Sequence, residues 1–345
     1  AVQPVIGSYL LKLRSRACSR NARWYSCQVG GRLGHARFPN PTWYPDRLML
    51  RLLERTLVGK LDSFERAILW HGAAWFGVIL LSYYILRPIR EQISATYGIK
   101  NLSWLFSATF VAMLLGIPLY SALVARFDRR LLVPAIYAFF VATLGGFWAA
   151  MRFGAEEIQL WVARVLFVWI SVFSLFIVSF FWSVMGDMVS PQQGRRMFGV
   201  MAGGGTIGSM IGSQIAARLV SRIGVANLLL IPLVLLCLAL VVYGSLERSF
   251  RRLSPSTSIS SSRAGKATGG NPFAGFTAVA QSRYLLAICA FGFLLATCGT
   301  TIYFQQSEIV SATFGTLSVD RAQEASTRYF AYVNFYVSVV TLFFQ

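Results

Sequence analysis

Three groups of residues have the types and spacing to do chemistry. Gly203, Gly205 and Gly208 in "GVMAGGGTIGSMIGSQIA" stand at G-x-G-x-x-G spacing, which cradles a pyrophosphate when a buried strand leads into it and a soluble helix leaves it. Arg87, Arg90 and Glu91 in "SYYILRPIREQ", Arg164 in "ARVLFVWISVF" and Asp187 in "FFWSVMGDM" are charges set against long apolar runs. Such charges are costly unless paired or hydrated, which makes them candidates for holding a charged solute or carrying a proton. Cys18, Cys27, Cys237, Cys289 and Cys298, with His35 and His71, are the sulfur and imidazole ligands available. They follow no metal-ligand spacing, and the last three cysteines lie in apolar runs where Cys acts as a small apolar residue. Two histidines are too few for a His-based triad or a multi-histidine metal centre. His71 reads as an interfacial residue or a proton relay. No metal and no cofactor is expected.

The elements that must position these residues are set by composition. Of 345 residues, 56% are hydrophobic, 14% aromatic and 13% charged, and mean hydropathy is +0.58. A soluble chain carries about 25% charged residues. The composition therefore gives an all-α integral membrane protein whose partner is the lipid bilayer. The formal charge of +19 comes from residues lying between apolar runs rather than on a folded soluble face, so no nucleic-acid partner is expected.

A bilayer-crossing helix needs about 20 mostly apolar residues. Eight stretches qualify or come close: 67–86, 102–124, 131–151, 165–185, 198–218, 225–244, 284–304 and 329–345. The glycine fingerprint falls inside the fifth, with no strand before it, so it reads as a membrane helix and not a cofactor loop. Gly204, Gly208 and Gly212 recur on one face of that helix at four-residue spacing, where small residues let helices approach closely in lipid. Lys and Arg are densest in the N-terminal segment and after the second, fourth and sixth spans. Asp128, Arg129 and Arg130, and then Arg195 and Arg196, fall in these loops. By the positive-inside bias the N-terminus is cytoplasmic. Arg195 and Arg196 read as topology signals or partners of Asp187.

Four segments follow from this pattern. Residues 1–48 are Arg-rich with no acid before Asp46, which fits an organellar transit peptide or read-through upstream of a start at Met49; they are left out of the fold. Residues 49–244 form a six-helix bundle. Residues 245–272 are a Ser/Gly-rich cytoplasmic linker too poor in apolar groups to order itself. Residues 273–345 begin a second bundle, and an apolar run that stops at "VVTLFFQ" reads as a truncated second half.

The plain alternative for each span-end charge is snorkelling to the interface. A resemblance argues for more. Six spans, a polar linker and further spans resemble the major facilitator architecture, and "ARFDRR" resembles that superfamily's Gly-x-x-x-Asp-Arg-x-Gly-Arg-Arg loop through Asp128, Arg129 and Arg130. "SYYILRPIREQ" followed by "FFWSVMGDMVSPQQGRRMFGVMAGGGTIGSMIGS" is similar to the bacterial branch of the nucleotide (ATP/ADP, NTP/NDP exchange) transporter family. Its members carry Tyr-x-x-Leu-Arg-Pro-x-Arg-Asp/Glu at the end of the first helix and Phe-Trp-x-x-x-x-Asp…Gly-x-Arg-Leu/Met-Phe-Gly across the fourth and fifth. This covers about residues 49–345.

The resemblance implies a truncated major-facilitator-type bundle in a bacterial inner membrane. It also implies alternating access around a midplane site and a small-molecule substrate, an anionic solute with nucleotides among the candidates. Arg90 matches a Lys of the exchangers and Glu91 the acid that follows it. An acid that the plastid and parasite members carry in the fourth helix is replaced here by Trp169, Ile170 and Ser171. The arginines are expected to bind the solute, and the halves to rock along the glycine face of the fifth span. Two other readings stay open: a proton-coupled carrier using Asp187 or Glu91, and a non-transporting sensor on a carrier fold. An enzyme would need a converging acid/base or metal set that the sequence does not offer.

Overall fold

A computed structural model describes residues 62–127, 129–253 and 279–345. Seven helices account for nearly all of them: α1 (Ser63–Arg126), α2 (Arg129–Phe153), α3 (Glu156–Met188), α4 (Pro191–Leu228), α5 (Leu230–Leu253), α6 (Arg283–Phe314) and α7 (Val319–Phe344). Residues 1–48, with Cys18, Cys27 and His35, lie outside the described residues, as do Asp128 and residues 254–278. Ser245–Leu253, expected to begin the linker, instead completes α5, and Glu247 and Arg251 pair one turn apart there at 3.2 Å.

Helix α1 holds two candidate spans, Ser63–Ala95 and Ser103–Tyr120, and contacts show that it folds back between them. Trp75 and Phe76 meet Phe181 while Arg90 meets Phe167, so the first stretch runs antiparallel to α3. Phe106 meets Phe167 while Tyr120 meets Phe176 and Phe180, so the second runs parallel to it. Arg90 and Phe106 would stand about 24 Å apart on a straight helix; the guanidinium is 5.9 Å from the ring. Helices α1–α5 thus make six passages.

Six of the eight expected spans are long and apolar enough to cross a membrane. The fifth and eighth, within α4 and α7, are helical but less apolar, because Gly, Ser, Thr, Gln and charged residues dilute them. They pack extensively on each other and on α1. Polar groups on such inner helices meet one another and avoid hydrocarbon. Helix α6 does the opposite: its apolar window is exposed.

One end of the assembly is fixed by short polar ties. Ser190, Pro191 and Gln193 start α4 as a capping box, and Gln193 Nε2 donates to Glu65 Oε1 at 2.8 Å, joining the starts of α1 and α4. Arg130 at the start of α2 pairs with Glu247 near the end of α5 at 3.3 Å. Phe64 of α1 and Phe250 of α5 meet with tilted rings, their centroids 5.7 Å apart.

Deeper in the bundle, Trp75 Nε1 donates to Tyr137 Oη at 3.0 Å between fully buried rings. Gly204, Gly208 and Gly212 face Ala73, Gly77 and Leu81 of α1. A Cβ at Gly208 would run into the Gly77 carbonyl oxygen, so only glycine allows this approach. Because α1 and α4 both belong to the first six passages, the glycine face does not lie between the two groups of helices, contrary to the sequence expectation. The contact of α4 with α7 is polar instead: Thr206 donates to Gln345 Oε1 at 2.7 Å, and the hydroxyl oxygens of Ser209 and Ser338 are 2.9 Å apart. Gly224, at φ 76°, breaks α4 near its end in a conformation that glycine adopts without penalty.

Candidate functional site

Arg87, Arg90, Glu91 and Ser94 stand at i, i+3, i+4 and i+7 on α1 and so share one face. The chain is helical here despite Pro88, whose missing N–H and ring disturb the turn before it. That face meets α6 and α7. Glu91 is only 5% exposed, and its carboxylate is held on both sides. Arg87 Nε donates to Oε1 at 2.9 Å, and Asn334 Nδ2 of α7 donates to Oε2 at 2.7 Å. Arg87 also donates to the Tyr84 hydroxyl at 3.2 Å. Burying an acid is tolerable only when such partners replace water.

Arg90 is held differently. Its guanidinium lies 4.4 Å from the Phe167 ring, 5.8 Å from that of Tyr303 and 5.9 Å from that of Phe106, all within the range of attraction to an aromatic face. Its Nε is buried and has no hydrogen-bond partner. A cation framed by rings with a buried donor unused is prepared to accept an anion, since a buried polar hydrogen without a partner is costly.

One turn on, Ser94 ties α1 to α6. Its hydroxyl donates to the Glu91 carbonyl at 2.6 Å. Its oxygen accepts from Tyr303 Oη at 2.8 Å and lies 3.1 Å from Ser307 Oγ. Ser94, Ser307 and Asn334 are all buried. Beyond them a cavity of about 170 Å³ opens beside Ala95, Val310, Phe314 and Ser326.

The other expected residues are dispersed. Arg164 stacks on Trp161 at 4.7 Å, one turn before Phe167, and so stands on the α3 turn next to the Arg90 cage. Asp187 is exposed at the far end of α3, about 30 Å along the helix from Phe167; the structure does not bring it to Arg87, Arg90 and Glu91. Arg195 and Arg196 are exposed in the first turns of α4. The side chain of Arg129 lies outside the described residues. His71 Nδ1 is 2.8 Å from the Ala67 carbonyl. Cys237, Cys289 and Cys298 are free and exposed, and among the described residues no three His, Cys, Asp or Glu gather as metal ligands.

Sequence reasoning missed Ser94, Tyr303, Ser307 and Asn334. Ser94 had a signal, its place on the face of Arg87, Arg90 and Glu91. Asn334 also had one, as a lone amide in "YFAYVNFYVSVV". Tyr303 and Ser307 had none, because their meaning depends on which helix faces which.

No curated protein and no solved structure compared with the chain matches it. A family model does: that of the Major Facilitator Superfamily matches residues 73–344. The match takes in α1 from Ala73 onward, the whole of the other six helices and every residue of the Arg90 and Glu91 cluster, and the superfamily's members are secondary membrane transporters. A chain whose described residues are helical nearly throughout, with six candidate membrane helices among them, and which is matched over well more than half its length, is therefore a multi-pass membrane protein that belongs to the major facilitator superfamily.

Proposed function

We propose that the chain carries an anionic solute by alternating access, with Arg90 as the residue that holds the anion. The carrying observation is the Arg90 guanidinium caged by Phe106, Phe167 and Tyr303 with its Nε unbonded. Arg164, one turn from Phe167, is the second cation the anion reaches. Arg87 is a weaker candidate than its motif position suggests, because it is committed to Glu91.

Nucleotides are the first substrates to test. The motif around Arg90 resembles that of nucleotide exchangers, and aromatic rings beside a guanidinium suit a planar base carrying phosphates. The end bearing Arg130, Arg195, Arg196 and Arg251 is assigned to the cytoplasm of a bacterial inner membrane on its excess of Arg.

The test is uptake of radiolabelled ATP, ADP and inorganic phosphate into proteoliposomes, with and without unlabelled nucleotide inside. Uptake that requires internal nucleotide supports exchange. Absence of uptake for all three, in a folded protein, removes the nucleotide assignment.

A second reading, a proton-coupled carrier, is favoured by the burial of Glu91. It predicts that Glu91→Gln abolishes uptake driven by a pH gradient and leaves exchange at equal pH intact. The other acid considered for this role, Asp187, is exposed and distant from the cluster.

A further inference from the structure

We propose that Tyr303 and Ser307 are the share of the solute site contributed by α6, and that the bound anion and Ser94 compete for their hydroxyls. The inference rests on the reading of Arg90 as the anion-holding residue, and adds the groups that couple binding to the contact between helices. Ser94 gives its only hydroxyl hydrogen to the Glu91 carbonyl at 2.6 Å. Towards its neighbours on α6 it can therefore only accept, and it accepts from Tyr303 at 2.8 Å and from Ser307 at 3.1 Å. Both α6 hydroxyls are thus spent on Ser94 when no solute is bound. The same tyrosine places its ring 5.8 Å from the Arg90 guanidinium, and Ser94 is one turn from Arg90 on the same helix face.

An anion on Arg90 offers several oxygen acceptors beside these two donors. Charge-assisted bonds are about twice as strong as neutral ones, so the donors turn from Ser94 to the anion. Each bond that moves removes a tie between α1 and α6. Binding and opening are then linked through shared donors: the solute favours the arrangement in which Ser94 has let go, by its differential affinity for that arrangement.

The competition gives substitutions of opposite sign. Tyr303→Phe removes a donor to the anion and weakens binding. Ser94→Ala removes the competing acceptor, frees both hydroxyls and tightens binding. Tyr303→Phe is expected to weaken binding about five-fold, the value of one neutral hydrogen bond, and Ser94→Ala, which releases two, to tighten it at least about five-fold. A cluster that only holds the helices together would give no such reversal. Ser307→Ala is the second donor variant and is expected to weaken binding in the same direction as Tyr303→Phe.

The experiment is equilibrium binding of ATP to the purified full chain, for the parent and for Arg90→Ala, Tyr303→Phe, Ser307→Ala and Ser94→Ala, with thermal melting to confirm folding. Binding lost in Arg90→Ala, weakened in Tyr303→Phe or Ser307→Ala and tightened in Ser94→Ala is the expected pattern. Binding lost in Arg90→Ala but unchanged in the α6 variants, or weakened in Ser94→Ala, overturns this inference and leaves the Arg90 reading standing. No ATP binding by the parent overturns this inference and removes the nucleotide assignment; unaltered binding in Arg90→Ala overturns both this inference and the Arg90 reading.

Discussion

Replacing Gly208 by alanine places a methyl group against the backbone of Gly77. The added Cβ would overlap the Gly77 carbonyl oxygen and lie 2.8 Å from its carbon and 2.9 Å from its Cα, where ordinary contact begins at 3.4 Å. Backbone atoms in a helix cannot turn aside as a side chain can, so α1 and α4 must part by about half an ångström or more. Their separation also loosens Gly204 on Ala73 and Gly212 on Leu81. Overpacking of this kind costs about 1–3 kcal/mol, offset by at most ~1 kcal/mol from the better helix propensity of alanine.

Gly203, in the same helix, has open space where its Cβ would go, so Gly203→Ala carries only the propensity gain. The propensity gain is common to both, so the two variants should differ by the overpacking cost alone, roughly 1–3 kcal/mol, or about 2–4 °C in melting temperature for a chain of this size. Thermal unfolding of the purified protein in detergent measures this directly. If Gly208→Ala melts within a degree of Gly203→Ala, the close approach of α1 and α4 is wrong.

Other substitutions probe the polar ties. Glu91→Gln leaves one acceptor oxygen for two donors, Arg87 and Asn334, and should lower stability by about 1–3 kcal/mol with uptake reduced at least ten-fold; Arg87→Gln in the same chain should restore part of the melting temperature but not the uptake. Tyr137→Phe strands the buried Trp75 N–H and should cost about 1–3 kcal/mol. Trp75→Phe strands the Tyr137 hydroxyl instead, and a double-mutant cycle read by melting should show the two to be non-additive. Glu247→Gln releases Arg130 and Arg251, both about half exposed, from a carboxylate that is itself buried, and should lower stability by about 1–3 kcal/mol, a loss that high salt reduces only in part because the carboxylate is shielded from solvent.

Hydropathy made the helices legible, since a run of about 20 apolar residues in a membrane protein has few other uses. The same criterion blurred at α4 and α7, where Gly, Ser and Thr lower the apolar signal because those residues face other helices. The segment 87–101 reads as a loop between spans, yet the first stretch of α1 stays helical through Ala95 before the chain turns back towards Ser103, and nothing in "RPIREQISATYGIKN" announces that extra helix. Arg87, Arg90 and Glu91 were legible as a cluster through their spacing. Their different fates were not: Arg87 is paired to Glu91, while Arg90 is caged by rings from α3, α6 and the second stretch of α1. Asp187 carried the same sequence signal as Glu91, a charge at a span end, yet only Glu91 is buried and bonded to α7. The glycine face was legible as a packing surface, but its partner was not, because periodicity on one helix does not name the helix opposite.

The measurement that bears most directly on the central claim is counterflow of labelled ATP in proteoliposomes, comparing the parent with Arg90→Ala and Arg90→Lys at matched reconstituted amounts. The account predicts loss of uptake in Arg90→Ala, and partial uptake with weaker apparent affinity in Arg90→Lys, where the charge is kept and the planar fork is lost. Uptake by Arg90→Ala equal to that of the parent would contradict it.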